Sequence, residues 1–395
     1  MPACPVYEVK PRESLAPRGQ VFNVRALLEG RLAMTPGLAA EIYDCMACRG
    51  CESVCPAGVP VGSIMEEARD LITTSKTESV FLRWAKRFLL SGVVAHPNRI
   101  SILMGLFRLA DRLGLRRFFS MFSFKIKQRS SMLPSIPKPK KLLPRYAPIG
   151  QSRKRVALFS GCIAPYLFSE TNEATARVLQ RNGYEVIVPE KQVCCGALHL
   201  HNGLAGKARE LARANIDAFK DVETIVVNAA GCGAALSEYG ELLDREHLSH
   251  EFASRVVDIS ALLVRDGFET PAEQPSLPNI RVAYDAPCHL FHAQNVKTEP
   301  RELLERIPGV ELIDFPDPER CCGSAGIYNV THFDLSMEVL ESKMKDIVPT
   351  QADVIVTGNP GCHMQLSHGA RKSGLNAEVV HPVVLLDRAY RGDRG

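Results

Sequence analysis

The sequence has little net charge, no long hydrophobic run and no nucleotide-binding fingerprint, and each absence excludes a class of protein. Its 48 Lys and Arg and 44 Asp and Glu leave a formal charge of +4, too small to indicate a nucleic-acid-binding protein. No apolar run reaches the ~18 residues of a membrane-spanning helix. Gly183 and Gly203 do not form the Gly-x-Gly-x-x-Gly of a flavin or nicotinamide site.

The first residues also lack the charged and apolar regions of a secretory signal. We therefore expect a reducing compartment, in which the 13 cysteines serve metals rather than disulfides. A length of 395 residues predicts two or three domains.

Four of the cysteines form one dense run between residues 45 and 56. Cys45, Cys48, Cys51 and Cys55, followed by Pro56, have the spacing C-x2-C-x2-C-x3-C-P, which is the bacterial iron–sulfur pattern. The first three thiolates point at one 4Fe–4S cluster, and the fourth faces away toward another cluster. Zinc, which prefers two separated CxxC pairs, and a disulfide pair in a secreted protein are the weaker alternatives.

A second, partial run is visible where the sequence starts. Cys4-Pro5 matches the end of such a motif, so we expect the chain to begin inside it, through a misplaced start or a truncation. In two-cluster ferredoxins the fourth cysteine of each run ligates the cluster of the other run. Cys4 would therefore join the first three cysteines of the run at 45–56 in one complete 4Fe–4S site. Cys55 would then belong to a second cluster that lacks its upstream ligands. The alternative for Cys4 is a free thiol without a role.

Residues 1–80 are predicted to form a small helical ferredoxin-type 4Fe–4S domain. The pattern indicates one helix that ends at Gly30, one that starts at Thr35-Pro36, and one from Val59 to Ile72. Residues 128–154 alternate proline with lysine and arginine, which is typical of a semi-rigid linker.

Residues 81–127 are predicted to form a basic amphipathic helical segment in which apolar and aromatic residues interleave with basic ones. Such a segment packs on its own domain or a partner, or lies on an anionic membrane. Basic residues that either dock a partner or lipid, or remain solvated, are Arg83, Lys86, Arg116 and Arg117.

The remainder of the chain is predicted to be duplicated. Each copy alternates strands with helices and carries a Cys-Cys-Gly motif, and corresponding cysteines lie 126, 127 and 130 positions apart. This pattern predicts two α/β domains, at 155–275 (the first repeat) and 280–392 (the second repeat), and an α+β protein overall. Each repeat brings four thiols to the carboxyl ends of its strands: Cys162, Cys194, Cys195 and Cys232 in the first, and Cys288, Cys321, Cys322 and Cys362 in the second. Four thiolates suit an iron–sulfur cluster or zinc, and small buried hydrophobic residues are the alternative.

The whole layout resembles the cysteine-rich CCG-domain family of heterodisulfide reductases and, more closely, the glycolate oxidase iron–sulfur subunits. The resemblance rests on residues 4–7, 14–19 and 45–59 and on both Cys-Cys-Gly motifs. Residues 17–19 and 28–30 favour this type over the anaerobic glycerol-3-phosphate dehydrogenase type.

This resemblance implies a cytoplasmic electron-transfer subunit, peripheral on the inner face of the membrane. It would accept electrons from FAD-binding oxidase subunits that oxidise a 2-hydroxy acid, and would pass them toward a quinone. A thiol–disulfide reductase and an inactive, truncated chain are the competing interpretations.

The chain departs from the heterodisulfide reductase pattern at one position in each repeat. Ala235 and Gln365 stand where that pattern has a fifth thiol, so we expect an ordinary 4Fe–4S cluster or zinc rather than a noncubane cluster. His289 and His363 each follow a ligand-position cysteine. Their expected role is either metal ligation or a hydrogen bond to the backbone.

Overall fold

The computed structural model describes most of the chain. The predicted basic segment is described as far as residue 115; Arg116, Arg117, the rest of that segment, and residues 128–135 and 138–139 of the predicted linker lie outside the described residues. The described residues are 3–75, 77, 79–115, 136–137, 140–244, 246–272 and 279–392.

The N-terminal module (residues 3–75) is helical. Its elements are α1 (Pro5–Val9), a 3₁₀ turn (Glu13–Leu15), α2 (Pro17–Leu28), α3 (Pro36–Asp44), α4 (Gly50–Ser53) and α5 (Val61–Thr74). Thr35 caps α3 by accepting a hydrogen bond from Leu38 N at 3.2 Å, which satisfies one of the unpaired donors of the first turn. Ile42, Met65 and Ile72 form the buried core between α3 and α5, and Met65 and Ile72 lie seven positions apart on one face of α5.

A helical segment follows, made of α6 (Val80–Lys86), a π-helical stretch (Arg87–Val94) and α7 (Pro97–Arg112). Its buried side includes Leu90 and Ile100, whereas Phe81, Trp84 and Phe88 are 77%, 60% and 58% exposed. None of the helices in the described part of the chain is both long and apolar enough to cross a membrane.

The first repeat is built on a twisted sheet with the strand order β1-β3-β2-β4-β5. The strands are β1 (Arg145–Tyr146), β2 (Arg155–Phe159), β3 (Glu185–Ile187), β4 (Ile225–Val227) and β5 (Val256–Asp258). Neighbouring strands are parallel except β1, which pairs antiparallel with β3. Residues 156–159 of β2 and the whole of β4 are continuous buried apolar runs, as expected for central strands of a parallel sheet that is covered on both faces.

The helices of the first repeat connect these strands or cover their faces. They are α8 (Ala164–Leu167), α9 (Ser169–Arg181), α10 (Ala197–Leu200), α11 (Ala205–Ala218), α12 (Ala230–Ser237), α13 (Tyr239–Leu242), α14 (His247–Ser254) and α15 (Ile259–Asp266).

The second repeat has a parallel sheet with the order β7-β6-β8-β9. Its strands are β6 (Ile280–Asp285), β7 (Val310–Leu312), β8 (Val354–Thr357) and β9 (Glu378–Val380). Its helices are α16 (Glu299–Glu305), α17 (Tyr328–Thr331), α18 (Phe333–Ile347), α19 (Pro360–Ser373) and α20 (Pro382–Arg391), with a π-helical turn (His289–Ala293) and a 3₁₀ turn (Val348–Thr350).

The two repeats share one hydrophobic core. Val156 and Leu158 of the first sheet belong to the same buried cluster as Val282 and Val356 of the second. Helix α9 packs on α20, and Arg177 reaches both carboxylate oxygens of the buried Asp387 at 2.7 and 2.9 Å. This common core fixes the orientation of one repeat against the other.

The architecture confirms the predicted fold class, a helical N-terminal module followed by two α/β repeats. The strands predicted around residues 155–159, 184–188 and 224–228, and their partners in the second repeat, are present. The prediction missed the short strands β1, β5 and β9; β1 falls within the predicted linker. The domain boundaries themselves remain predictions.

Candidate metal centres

The loop between α3 and α4 wraps three cysteines around one point. Cys45 ends α3 and Cys51 lies in α4. Between them, Ala47 and Arg49 have φ values of 49° and 65°, a left-handed conformation that is uncommon for residues other than glycine. An ion pair with Glu238 of the first repeat holds Arg49 in place, and Arg49 Nη2 donates to Glu238 Oε2 at 2.8 Å. The turn is therefore stabilised by tertiary contact.

Cys4 completes the set from the other end of the module. It caps α1, and its sulfur accepts a hydrogen bond from Tyr7 N at 3.5 Å. Cys4, Cys45, Cys48 and Cys51, here named the four-thiol site, line one cavity of about 30 Å³. The structure thus brings together the four residues that the sequence predicts as ligands of one cluster.

The electrostatics of the four-thiol site favour neutral thiols in the absence of a cation. Burial raises the pKa of Cys4 and of Cys45. Burial, with the neighbouring Cys45 and Cys4, raises the pKa of Cys51 to about 12. Thiolates are the form that binds metal, so metal binding would release protons from these thiols. The positive charge of the metal would also offset the repulsion between neighbouring thiolates.

Cys55 faces a different side of the module, as predicted. Backbone N–H groups of Val59, Ala57 and Gly58 hydrogen-bond to its sulfur and lower the pKa of the thiol. It lines a separate, open cavity of about 540 Å³, which also touches Cys4 and Cys51. Its surroundings therefore stabilise a thiolate at the surface.

In the first repeat the four predicted thiols meet at the carboxyl ends of β2 and β4. The sulfurs of Cys162 and Cys194 lie 3.5 Å apart, and those of Cys195 and Cys232 lie 3.3 Å apart. Hydrogen bonds from neighbouring thiols lower the pKa of Cys194. The same hydrogen bonding to Cys194, with burial, raises the pKa of Cys162.

The second repeat reproduces this arrangement. The sulfurs of Cys322 and Cys362 lie 3.1 Å apart. Cys321 accepts a hydrogen bond from Gly323 N at 3.4 Å, and Cys362 accepts one from Asn359 Nδ2 at 3.4 Å. The glycine of each Cys-Cys-Gly motif has a left-handed backbone, with φ 89° at Gly196 and 87° at Gly323, which explains why glycine occupies both positions.

The cysteines of the two repeats face each other across one cavity of about 190 Å³, here named the repeat cavity. Sequence reasoning predicted two separate groups of four thiols and gave no signal that they face one another. The other residues that line this cavity include Met46 from the N-terminal module, and His201 and Asn359, which the prediction also missed. No sequence motif marks these three residues, because their role depends on how the modules pack.

The two predicted histidines have different surroundings. His289 lines the repeat cavity, its Nε2 has no hydrogen-bond partner within the described structure, and burial lowers its pKa to about 3. His363 packs against Phe168 with ring centroids 4.8 Å apart, and burial lowers its pKa to about 4. The ring of His201 lies 5.5 Å from that of His289, and its Nδ1 lies 2.9 Å from Glu66 Oε1. Both predicted histidines are therefore neutral imidazoles near pH 7, and whether either binds metal stays a prediction.

The positions of the missing fifth thiols are filled by structural side chains. Ala235 is buried in the core of the first repeat. Gln365 is fully buried and donates to Ser336 Oγ at 2.9 Å. Neither position offers a further sulfur ligand.

The donor chemistry fits sulfur-ligated metal centres. Twelve of the 13 thiols stand in groups of four, and soft thiolates select iron–sulfur clusters and zinc. Within the described residues, no three Cys, His, Asp or Glu side chains are arranged to hold a single metal ion.

Comparison with known proteins identifies the same modules. Residues 1–59 match a family described as the 4Fe-4S dicluster domain, and residues 156–237 and 282–367 each match the cysteine-rich domain named CCG. These matches support iron–sulfur clusters as the cofactors.

Similar proteins cover nearly the whole chain. A probable glycolate oxidase iron-sulfur subunit of Bacillus subtilis (strain 168) is 37% identical over 98% of this chain and 91% of its own length. The glycolate oxidase iron-sulfur subunit of Escherichia coli (strain K12) is 33% identical over the same shares. A lactate utilization protein A of Oceanobacillus iheyensis is 29% identical over 60% of this chain and 98% of its own length. The resemblance stated from the sequence is therefore confirmed.

Proposed function

Since this chain belongs to the family of glycolate oxidase iron–sulfur subunits, we propose that it carries electrons within a multi-subunit 2-hydroxy-acid dehydrogenase. The substrate is glycolate, with lactate as the alternative. A flavoprotein partner oxidises the 2-hydroxy acid, and this chain passes the electrons one at a time toward a membrane quinone. The chain's own sequence contains no flavin or nicotinamide fingerprint, which is consistent with substrate chemistry on another subunit.

The observation that carries the proposal is the four-thiol site. Its sulfurs come from two places 41 positions or more apart in sequence and line a single small cavity. A ferredoxin-type cluster held there would supply one-electron redox chemistry. The residues around the site bury it and donate backbone hydrogen bonds to its sulfurs. Tyr7 N donates to Cys4 Sγ at 3.5 Å, and Ala47 N donates to Cys45 Sγ at 3.4 Å. Both features tune a reduction potential.

The number of centres is part of the proposal. We assign Cys4, Cys45, Cys48 and Cys51 to one 4Fe–4S cluster, and each repeat to one further cluster or zinc ion. Cys55 is assigned to a second ferredoxin-type cluster. Its half-buried, hydrogen-bonded sulfur supports a ligand role.

The test is metal analysis of the anaerobically purified chain, with its absorbance and electron paramagnetic resonance (EPR) spectra after reduction. We expect a brown protein with iron and acid-labile sulfide. Cys48→Ser should abolish the ferredoxin-type signal, whereas Leu28→Ser, at an exposed position of α2 in the same module, should leave it intact. A colourless protein that contains zinc and no iron would contradict the assignment.

We further propose that the helical segment formed by α6, the π-helical stretch and α7 attaches the protein to the cytoplasmic face of an anionic membrane. Residues 80–112 contain six Lys or Arg and one acidic residue, Asp111. The stacked, exposed rings of Trp84 and Phe88 have centroids 5.4 Å apart. A basic helix with exposed aromatic residues is typical of interfacial binding.

Sedimentation with vesicles tests this attachment. Binding should increase with the fraction of anionic lipid, fall with added salt, and weaken in a Trp84→Ser/Phe88→Ser variant. A Leu248→Ser variant, which changes an exposed apolar residue elsewhere, is the matched control. Equal loss in both variants, or binding only when the flavoprotein partner is added, would favour docking to protein instead.

A second candidate function is thiol–disulfide reduction, favoured by the eight thiols that face one cavity. Hydrogen bonding lowers the pKa of Cys194, as in reactive thiolates. This function requires that Cys195→Ser abolish turnover of a disulfide while the iron content of the protein stays unchanged. Loss of metal from the first repeat in that variant would instead support the electron-transfer role.

A further inference from the structure

The four-thiol site contacts the second repeat through sulfur. Met46 Sδ lies 3.9 Å from Cys321 Sγ. Cys4 and Cys48 pack against the same buried apolar cluster, which contains Met46, Cys288 and Cys321. Two ligand-position thiols of the second repeat therefore share one packing unit with two thiols of the N-terminal module.

The corresponding thiols of the first repeat have other neighbours. Cys162 and Cys194 pack with Leu90 and Val94 of the π-helical stretch. The two repeats are alike in fold and in cysteine pattern, so this difference arises from the docking of the N-terminal module. Only the second repeat places its thiols in the same apolar cluster as those of the four-thiol site, among the described residues.

The first repeat also touches the N-terminal module, but through polar side chains. Arg49 pairs with Glu238, and Arg69 Nη1 donates to the carbonyl oxygen of His201 at 2.9 Å. Ala205 N donates to Asp70 Oδ1 at 3.1 Å. These contacts fasten the module without bringing a first-repeat thiol against the four-thiol site.

The loop that carries Cys321 is held rigidly. The buried Lys343 donates to the carbonyl oxygens of Pro318, at 2.9 Å, and of Arg320. Tyr328 Oη, from the helix that follows, donates to the carbonyl oxygen of Asp44 at 2.9 Å, immediately before the cysteine run. The Met46–Cys321 contact is thus fixed from both sides.

We propose that electrons leave the four-thiol site through the Met46–Cys321 contact and enter the second repeat before the first. Met46 is a positioning residue that fills the gap between the two sets of sulfurs with polarisable, apolar volume. The proposal rests on the proposed electron-transfer function and gives it an order.

The step is an outer-sphere transfer in which no bond forms or breaks. A cluster held by the four-thiol site would lose one electron, and a cluster held by the thiols of the second repeat would gain it. One 2-hydroxy acid supplies two electrons through the flavin of the partner subunit, so two successive transfers complete each turnover. No proton crosses the Met46–Cys321 contact.

The test compares variants of the anaerobically purified full chain by EPR-monitored redox titration and by freeze-quench after rapid reduction. Met46→Ala should shift the midpoint potential of the four-thiol signal and slow electron arrival at the second repeat. Met46→Leu, which keeps the apolar volume, should restore most of that rate. Met104→Ala, which trims a half-buried methionine of α7 that lines neither thiol cavity, should change neither quantity.

The pair Cys321→Ser and Cys194→Ser exploits the duplication. Cys321→Ser should alter the spectrum and potential of the four-thiol signal, and Cys194→Ser should leave both as in the wild type. The opposite pattern in an iron-loaded protein, or a redox-inert zinc ion in the second repeat, would overturn the proposed order and leave the electron-transfer function standing. A wild-type chain without iron would overturn both.

Discussion

The glycines of the two Cys-Cys-Gly motifs offer an internal comparison in which one substitution is made in two equivalent places. Gly196 and Gly323 have nearly the same left-handed backbone. A methyl group at Gly196 would lie 3.4 Å from Ala208, an ordinary contact. At Gly323 it would lie 2.6 Å from the carbonyl oxygen of Ser336, so the backbone there must move.

These contacts set the expected free energies. An L-residue at such a φ costs about 1–2 kcal/mol, and this is the whole expected effect of Gly196→Ala. Gly323→Ala adds the displacement of buried backbone, about 1–3 kcal/mol more. Because Gly323 N also donates to Cys321 Sγ, the displacement should disturb the second thiol set as well as lower the stability.

Thermal unfolding of the anaerobic protein measures the difference. For a unit of this size, each kcal/mol lowers the midpoint by about 2–4 °C, so Gly323→Ala should lower it roughly twice as far as Gly196→Ala. Metal analysis should show a loss from the second repeat in Gly323→Ala and full content in Gly196→Ala. Equal midpoint shifts, or a larger effect at Gly196, would refute the steric reasoning.

Three further predictions concern buried charge. Burial raises the pKa of Asp258 to about 6. Its contribution to stability is therefore fully present below the pKa of the unfolded state and is lost as the pH rises through 6. Asp258→Asn should flatten this pH dependence of the free energy of unfolding, measured by denaturation between pH 4 and 7. Lys343→Met leaves Asp285 buried without its partner and should lower the free energy of unfolding in urea by about 3–5 kcal/mol. Replacing both charged residues by apolar ones should recover much of this stability. No recovery would show that the loss does not come from an unpaired buried charge. Glu238→Gln leaves the buried Arg49 without its carboxylate and should loosen the cysteine loop, seen as faster proteolysis of the N-terminal module; unchanged cleavage would show that the loop does not depend on this pair.

Most of the chemistry could be predicted because it depends on short-range spacing. The C-x2-C-x2-C register, the partial motif at Cys4 and the repeated Cys-Cys-Gly each predict candidate ligands from residue type and spacing. The helices around the cysteine run, and the strands that precede each thiol group, followed from apolar periodicity.

The missed strands share a physical reason. The strands β1, β5 and β9 are two or three residues long and lie at or next to the edges of their sheets. The strands β3, β4 and β7 are as short but were predicted, because each lies in an apolar run that leads into a cysteine group. None of the missed strands leads directly into such a group, and their pairing is decided by the neighbouring strand. Likewise, nothing local predicts that Arg49 adopts a left-handed backbone, because its partner Glu238 lies 189 positions away.

The sequence by itself determined which thiols are the candidate ligands, how these candidates are grouped in fours, and that the α/β domain occurs twice, since these depend on residue type and spacing along the chain. The tertiary structure alone decided that the thiols of both repeats face one cavity, and that the second repeat, rather than the first, meets the four-thiol site through Met46. The reason is that a duplicated sequence encodes two nearly equivalent sites. Their difference arises only when the shared core fixes the repeats and the N-terminal module packs asymmetrically against them.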